Sequence, residues 1–146
     1  MIDQPLYTKI HELMPIACLD LVIMRNGKIL LVKRDRDPAK DQYWLPGGRI
    51  LRGESFVEAA KRIAKGEVGL SISKLTNIGI GNLVFKEDPF GHGCGTHTVS
   101  FIYKCVAGKE TPSLDNNHID YKWWDGKSGK YHSYVKTFAS KARNTP

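Results

Sequence analysis

The chain has 146 residues with 41% hydrophobic and 25% charged, which is ordinary for a soluble globular protein and suits one domain over residues 1–146 with room for a core. Its net charge of +7 favours anionic ligands, although dispersed lysines give the same total, and no long basic run argues for duplex DNA. Apolar runs such as Ile29–Val32 are far too short to span a bilayer, and no charged-then-apolar leader precedes them, so a cytoplasmic protein is expected.

In chain order, Met1–Met14 reads as a short helical or irregular lead-in ended by Pro15. Ile16–Met24 and Lys28–Lys33 are β-prone runs joined by Arg25-Asn26-Gly27, and Asn-Gly predicts a tight hairpin because both turn residues take φ > 0. Asp20 interrupts the first apolar run, which points to solvent exposure or, less commonly, to a residue that binds substrate. After the second strand come the alternating charges Lys33-Arg34-Asp35-Arg36-Asp37. Arg34 stands where its fork of donors could reach a phosphate, or where it could pair with Asp35 or Asp37.

Pro46–Leu70 is the stretch around which the rest is organised. Phe56, Ala59, Ala60, Ile63 and Ala64 recur at helical spacing, giving one apolar face. Glu67 projects onto that face, whereas Glu54, Glu58 and Arg62 form a polar stripe opposite. An isolated inward carboxylate needs a hydrogen-bond donor, a cation or a metal, since leaving it unpaired costs several kcal/mol. Gly47 and Gly48 allow close backbone approach, and their carbonyls could serve a hard cation. A Glu paired with a Lys or Arg at a frayed helix end would give the same pattern.

Beyond the helix, Leu75–Phe85 is strand-like, Lys86–Gly95 reads as a mobile loop, and Thr98–Val106 and Ile119–Trp124 read as strands. Tyr131, Tyr134, Val135 and Phe138 predict a C-terminal helix against the sheet. Cys18, Cys94 and Cys105 lack Cys-x-x-Cys spacing and are expected to be free buried thiols, without a disulfide framework or zinc site. The order of elements suits an α/β fold of the α+β kind, with a mixed sheet flanked by helices.

The spacing Gly48, five residues, Glu54, seven residues, Arg62, then Glu67, Gly69 and Leu70 resembles the signature of the Nudix hydrolases. The resemblance spans roughly Pro15–Trp124 and implies an α-β-α sandwich whose signature helix lines the site. Ile63 and Gly66 stand where that signature carries glutamates, so two metal-site carboxylates are absent. A branch with a similarly reduced signature is GDP-mannose mannosyl hydrolase, which attacks the anomeric carbon of the sugar and releases GDP. The sequence looks like that branch at Arg34, Gly47-Gly48-Arg49, Arg62, Glu67 and Asn116-Asn117-His118. It departs at Asn117, where the branch carries Gln, and at Thr98, where the branch has a phosphate-contacting Tyr.

The resemblance implies a nucleotide-sugar substrate, either GDP-mannose or GDP-glucose, and a Mg²⁺ cofactor held by the Gly47 carbonyl, Glu67 and the Asn117 side chain. Mg²⁺ commonly takes only one or two protein carboxylates, leaving substrate phosphates to complete its shell. Arg34, Arg49 and Arg62 would contact the diphosphate, with Asp20 also on the substrate. Arg62 alternatively pairs with Glu58. His118 would be the general base, since an imidazole titrates near neutrality and a positioned base contributes about 10²–10⁴-fold. A pyrophosphohydrolase using other acids, such as Glu87 or Asp88, and a non-catalytic nucleotide-binding relic remain as alternatives, and a homodimer is compatible with each.

Overall fold

The computed structural model describes Met1–Pro146. Its organising strand is β1 (Ile16–Arg25), whose residues from Cys18 to Ile23 are all buried. The Asn-Gly turn, with φ of 52° at Asn26 and 75° at Gly27, returns the chain into β2 (Lys28–Arg34). Short strands β3 (Tyr43–Trp44) and β4 (Gly47–Arg49) follow, then α2 (Phe56–Val68), β5 (Ile72–Phe85), β6 (Thr96–Ala107), β7 (His118–Trp124) and α3 (Ser133–Arg143). The N-terminal lead-in is the helix α1 (Gln4–Leu13), started by Asp3, whose side chain accepts the Leu6 N–H at 3.1 Å.

The sheet is seven-stranded and mixed. β1 runs parallel to β6 over Ile16–Met24, while its other edge is shared: Met24 and Arg25 pair with β2, and Cys18–Asp20 pair with β4. β2 turns away to pair with β3 and β7. The two directions open a cleft between β4 and the end of β2.

Alternation along β1 sends its side chains into two cores. Leu19, Leu21 and Ile23 pack with Ala59, Ala60, Ile63, Ala64 and Val68 of α2, and Val22 packs with Val135, Phe138, Ala139 and Ala142 of α3. Full burial of each Leu, Ile or Val stabilises by roughly 1.5–3 kcal/mol. α2 is sharply bounded. Ser55 and Glu58 form a capping box at its start, and Gly69, at φ 67°, ends it in the left-handed region that favours glycine.

Four expectations change. Asp20 is 8% exposed and faces the α3 side, because its neighbours Leu19 and Leu21 claim the α2 side. Phe56 is 41% exposed and lies against Phe101 and Tyr103, since it opens the helix before its axis reaches the core. Arg62 pairs with Glu54 at 2.5 Å and not with Glu58, whose carboxylate is taken by the Ser55 N–H. Cys18 and Cys105 are buried free thiols, but Cys94 is exposed in the turn-rich loop. No helix is long and apolar enough to cross a membrane.

Candidate active site

A cavity of about 430 Å³ opens where β1 is shared between β2 and β4. Glu67, in the last turn of α2, reaches across it, and its Oε2 accepts the Gly47 N–H at 3.0 Å. No Lys or Arg nitrogen lies within 4.0 Å of this carboxylate. Burial therefore pushes its carboxyl up to about 8; the Gly47 N–H opposes that rise, Asp115 and Asp20 add to it, and Arg34 counters them. A buried carboxylate without a cation is a fitting ligand for a divalent ion.

Asp20 forms the floor. Its Oδ2 accepts the Tyr134 hydroxyl at 2.5 Å, and a Cβ built on Gly47 would lie 1.9 Å from its Oδ1. Burial raises the Asp20 carboxyl to about 6, against the pull of the Tyr134 and Ser100 hydroxyls and of Arg34. Tyr134 reaches this position because Gly81 gives way to its ring, which a Cβ there would meet at 2.4 Å, and because Trp44 stacks on it at 5.5 Å.

The opposite wall is a loop fastened to the end of α2. Ser113 N–H donates to the Val68 carbonyl at 2.8 Å and Asp115 N–H to the Glu67 carbonyl at 3.1 Å, satisfying two of the acceptors that a helix leaves open at its C-terminus. Asp115 Oδ1 then accepts His118 Nδ1 at 2.7 Å and the Asn117 N–H at 2.9 Å. With the carboxylate as acceptor, Nδ1 is the donor of this pair, so in the neutral ring it is Nε2 that carries the lone pair. The His118 side chain is 4% exposed and lines the cavity.

The cations divide unevenly. Arg34 lines the cavity with its Nε donating to the Pro38 carbonyl at 2.6 Å, and burial lowers its pKa against the opposing effect of Glu67 and Asp20. Arg36, also on the lining, donates to the Asn117 side-chain oxygen. Arg49 and Arg62, expected on the diphosphate, lie outside the lining. The Arg49 guanidinium sits 4.8 Å over the Tyr7 ring, and Arg62 is held by Glu54 and by the Arg49 carbonyl at 2.9 Å. Asn117 lines the cavity, but its oxygen is engaged by Arg36.

Asp88 and Glu87, the alternative acids, are also off the lining; Asp88 accepts the Phe90 and Gly93 N–H groups of its own loop at 2.8 and 2.6 Å. That loop is joined to α1 by His11 Nδ1 and His92 Nε2 at 2.8 Å, and by Phe90 against Tyr7 at 5.4 Å. Tyr7 and Phe90 thus bring α1 and the loop to the cavity mouth. Sequence reasoning did not single out Asp115, Arg36, Ser100 or Tyr134 for the site. Asp115 had a local signal, a carboxylate three residues before the histidine in Asp115-Asn116-Asn117-His118. Tyr134 showed only the spacing of a packing residue.

A mixed sheet between helices, with the central helix presenting a carboxylate to a Gly-Gly strand, defines the Nudix class of fold. The NUDIX domain model matches residues 16–129, and the chain belongs to that family, the Nudix hydrolases, which generally use divalent metals. The low-salt glycan biosynthesis protein Agl8 of Haloferax volcanii is 23% identical over 124 residues, covering 85% of this chain and 80% of Agl8. An ADP-ribose pyrophosphatase of Methanocaldococcus jannaschii is 34% identical over 107 residues, covering 73% of this chain, which spans only 61% of that protein. Among solved structures, a MutT NUDIX hydrolase from Burkholderia pseudomallei superposes with a TM-score of 0.74 at 22% identity, covering 88% of this chain and 98% of its own. The NUDIX domain of Shewanella oneidensis NrtR, solved with ADP-ribose, gives 0.71 at 18% identity, covering 90% and 88%.

Proposed function

We propose that the protein hydrolyses a nucleoside diphosphate sugar, GDP-mannose or GDP-glucose, by attack of water at the anomeric carbon, releasing GDP and free sugar with inversion. The observation that carries this reading is the pairing of His118 with Asp115 at 2.7 Å, on the lining of the cavity that Glu67 enters. A base oriented by a carboxylate suits proton removal from water. The signature helix, with Ile63 buried in the core and Gly66 without a side chain, offers the diphosphate chemistry a single acid. The name of Agl8 accords with a sugar-linked substrate.

Mg²⁺ would be held by Glu67 and the Gly47 carbonyl, joined by Asn117 once its oxygen is free, and would supply charge neutralisation for the departing diphosphate. Arg34 binds the diphosphate from the buried side. Asp20, fixed by Tyr134, lines the cavity as a substrate contact. His118 Nε2 takes the proton of the attacking water, and Asp115 holds the resulting imidazolium in place.

The similarity to an ADP-ribose pyrophosphatase favours a second reading, attack on phosphorus. One experiment separates the two. GDP-mannose incubated with protein and Mg²⁺ in H₂¹⁸O should give GDP and mannose labelled at C1. GMP with labelled phosphate, or turnover of ADP-ribose to AMP in its place, establishes the pyrophosphohydrolase, and no turnover of either establishes a binding relic.

A further inference from the structure

We propose that Arg36 is a second diphosphate-binding arm, and that its transfer to the ligand releases the Asn117 carbonyl for the divalent cation. The inference deepens the reading above and rests on its metal and diphosphate assignments. The cavity lining holds two guanidinium groups, those of Arg34 and Arg36. Arg34 is half-buried and tied through Nε to the Pro38 carbonyl. Arg36 stands exposed at the rim two residues further on, and its one side-chain partner is the Asn117 oxygen. Arg49 and Arg62, facing Tyr7 and Glu54, leave the diphosphate without other Lys or Arg contacts inside the cavity.

The Asn117 amide is oriented from both ends. Its nitrogen faces Asp115 Oδ2 at 3.5 Å and its backbone N–H donates to Asp115 Oδ1, so the oxygen points to Arg36 and a flip would set that oxygen against a carboxylate. A guanidinium and a divalent cation repel one another on the same carbonyl oxygen. A diphosphate oxygen, carrying charge, is the better acceptor for the guanidinium and takes two parallel hydrogen bonds from it. The nucleotide therefore draws Arg36 away from Asn117 and exposes a ligand for the cation. By linkage the cation in turn strengthens nucleotide binding by the same factor.

Diphosphates bridge metal ions in any site, so the test uses the two partners separately, with Mn²⁺ as the metal probe and GDP and ADP as the nucleotide probes. Mn²⁺ binding to nucleotide-free protein, followed by electron paramagnetic resonance, should tighten at least about 5-fold in Arg36→Ala, the lower end of measured couplings. In the Asn117→Ala background the same substitution should leave Mn²⁺ affinity unchanged. GDP affinity in EDTA should fall about 10-fold in Arg36→Ala, as for a lost charge-assisted hydrogen bond. Equal Mn²⁺ gains in both backgrounds would reduce Arg36 to a diffuse positive charge and overturn the proposal, as would unchanged GDP and ADP affinity in EDTA. These readouts need no turnover. If the wild type cleaves phosphorus but the Mn²⁺ cycle holds, the C1 chemistry fails and the Arg36 exchange stands; if C1 cleavage is found with a flat cycle, the reverse is true.

Discussion

Gly47→Ala should be among the most damaging single-methyl additions in this protein. The added Cβ would sit 1.9 Å from Asp20 Oδ1, 2.9 Å from Cγ and 3.1 Å from the Leu19 carbonyl oxygen. The carboxylate must retreat by about 1 Å or more to restore an ordinary contact, and its 2.5 Å hydrogen bond from Tyr134 cannot survive that shift. Losing a buried bond to a charged group costs about 1.5–3 kcal/mol, and overpacking adds about 1–3 kcal/mol. The expected loss is thus about 2.5–6 kcal/mol, a large share of the ~5–15 kcal/mol typical of a domain. Urea unfolding at constant m measures it. Asp20→Ala removes the two nearest atoms and leaves only the 3.1 Å contact with the Leu19 carbonyl, so in that background Gly47→Ala should cost no more than the overpacking share, about 1–3 kcal/mol. Equal costs in the two backgrounds would show that Asp20 is not the obstacle.

His118→Ala should lower kcat at least about 10²-fold with little change in KM, and Asp115→Asn about 10-fold by misorienting the ring; steady-state kinetics in which KM alone changes would remove the base assignment. Glu67→Gln should abolish calorimetric Mg²⁺ binding while Glu58→Gln, confined to the capping box, leaves it intact, and equal affinities in both would displace Glu67 as the ligand. Burial and the neighbouring His92 hold His11 below its ordinary value of 6.5, against an opposing pull from Asp88. The folded state therefore binds fewer protons than the unfolded one, and this contribution is present above about pH 6.5 and lost as pH falls toward the lowered folded value. Hydrogen-exchange protection factors in α1 and residues 86–95, taken relative to the intrinsic rate at each pH, should fall between pH 7 and 5, with Cys94 N–H held on His92 Nδ1 among the first amides affected; protection unchanged over that range would contradict the assignment.

The hairpin, α2 and the later strands were legible because each carries its own local cause: Asn26-Gly27, the helical spacing of Ala59, Ile63 and Ala64, or alternation. Glu67 was legible for the same reason, as a charge on an apolar stripe. The burial of Asp20 was not legible, because its environment is set by Tyr134, 114 residues away in sequence. Arg49 and Arg62 matched a motif by position, yet where a guanidinium ends depends on which carboxylate or aromatic ring the fold brings within reach. Here those are Glu54 and Tyr7. The α1–loop contact through His11 and His92 left no periodic trace, since two separated histidines show nothing of a shared hydrogen bond.

The loop fastened to the C-terminus of α2 has a mechanical consequence. The route from Glu67 to His118 through the chain runs across two long strands, and small displacements would accumulate along it. The Ser113 and Asp115 amides shorten that route to one helical turn and two hydrogen bonds, at 2.8 and 3.1 Å. When α2 breathes against the sheet, acid and imidazole then drift together, and their separation is preserved to first order. The spacing between the two groups is decoupled from the quality of the core, so substitutions that loosen the packing under α2 should change global stability well before they change the alignment of the reacting groups.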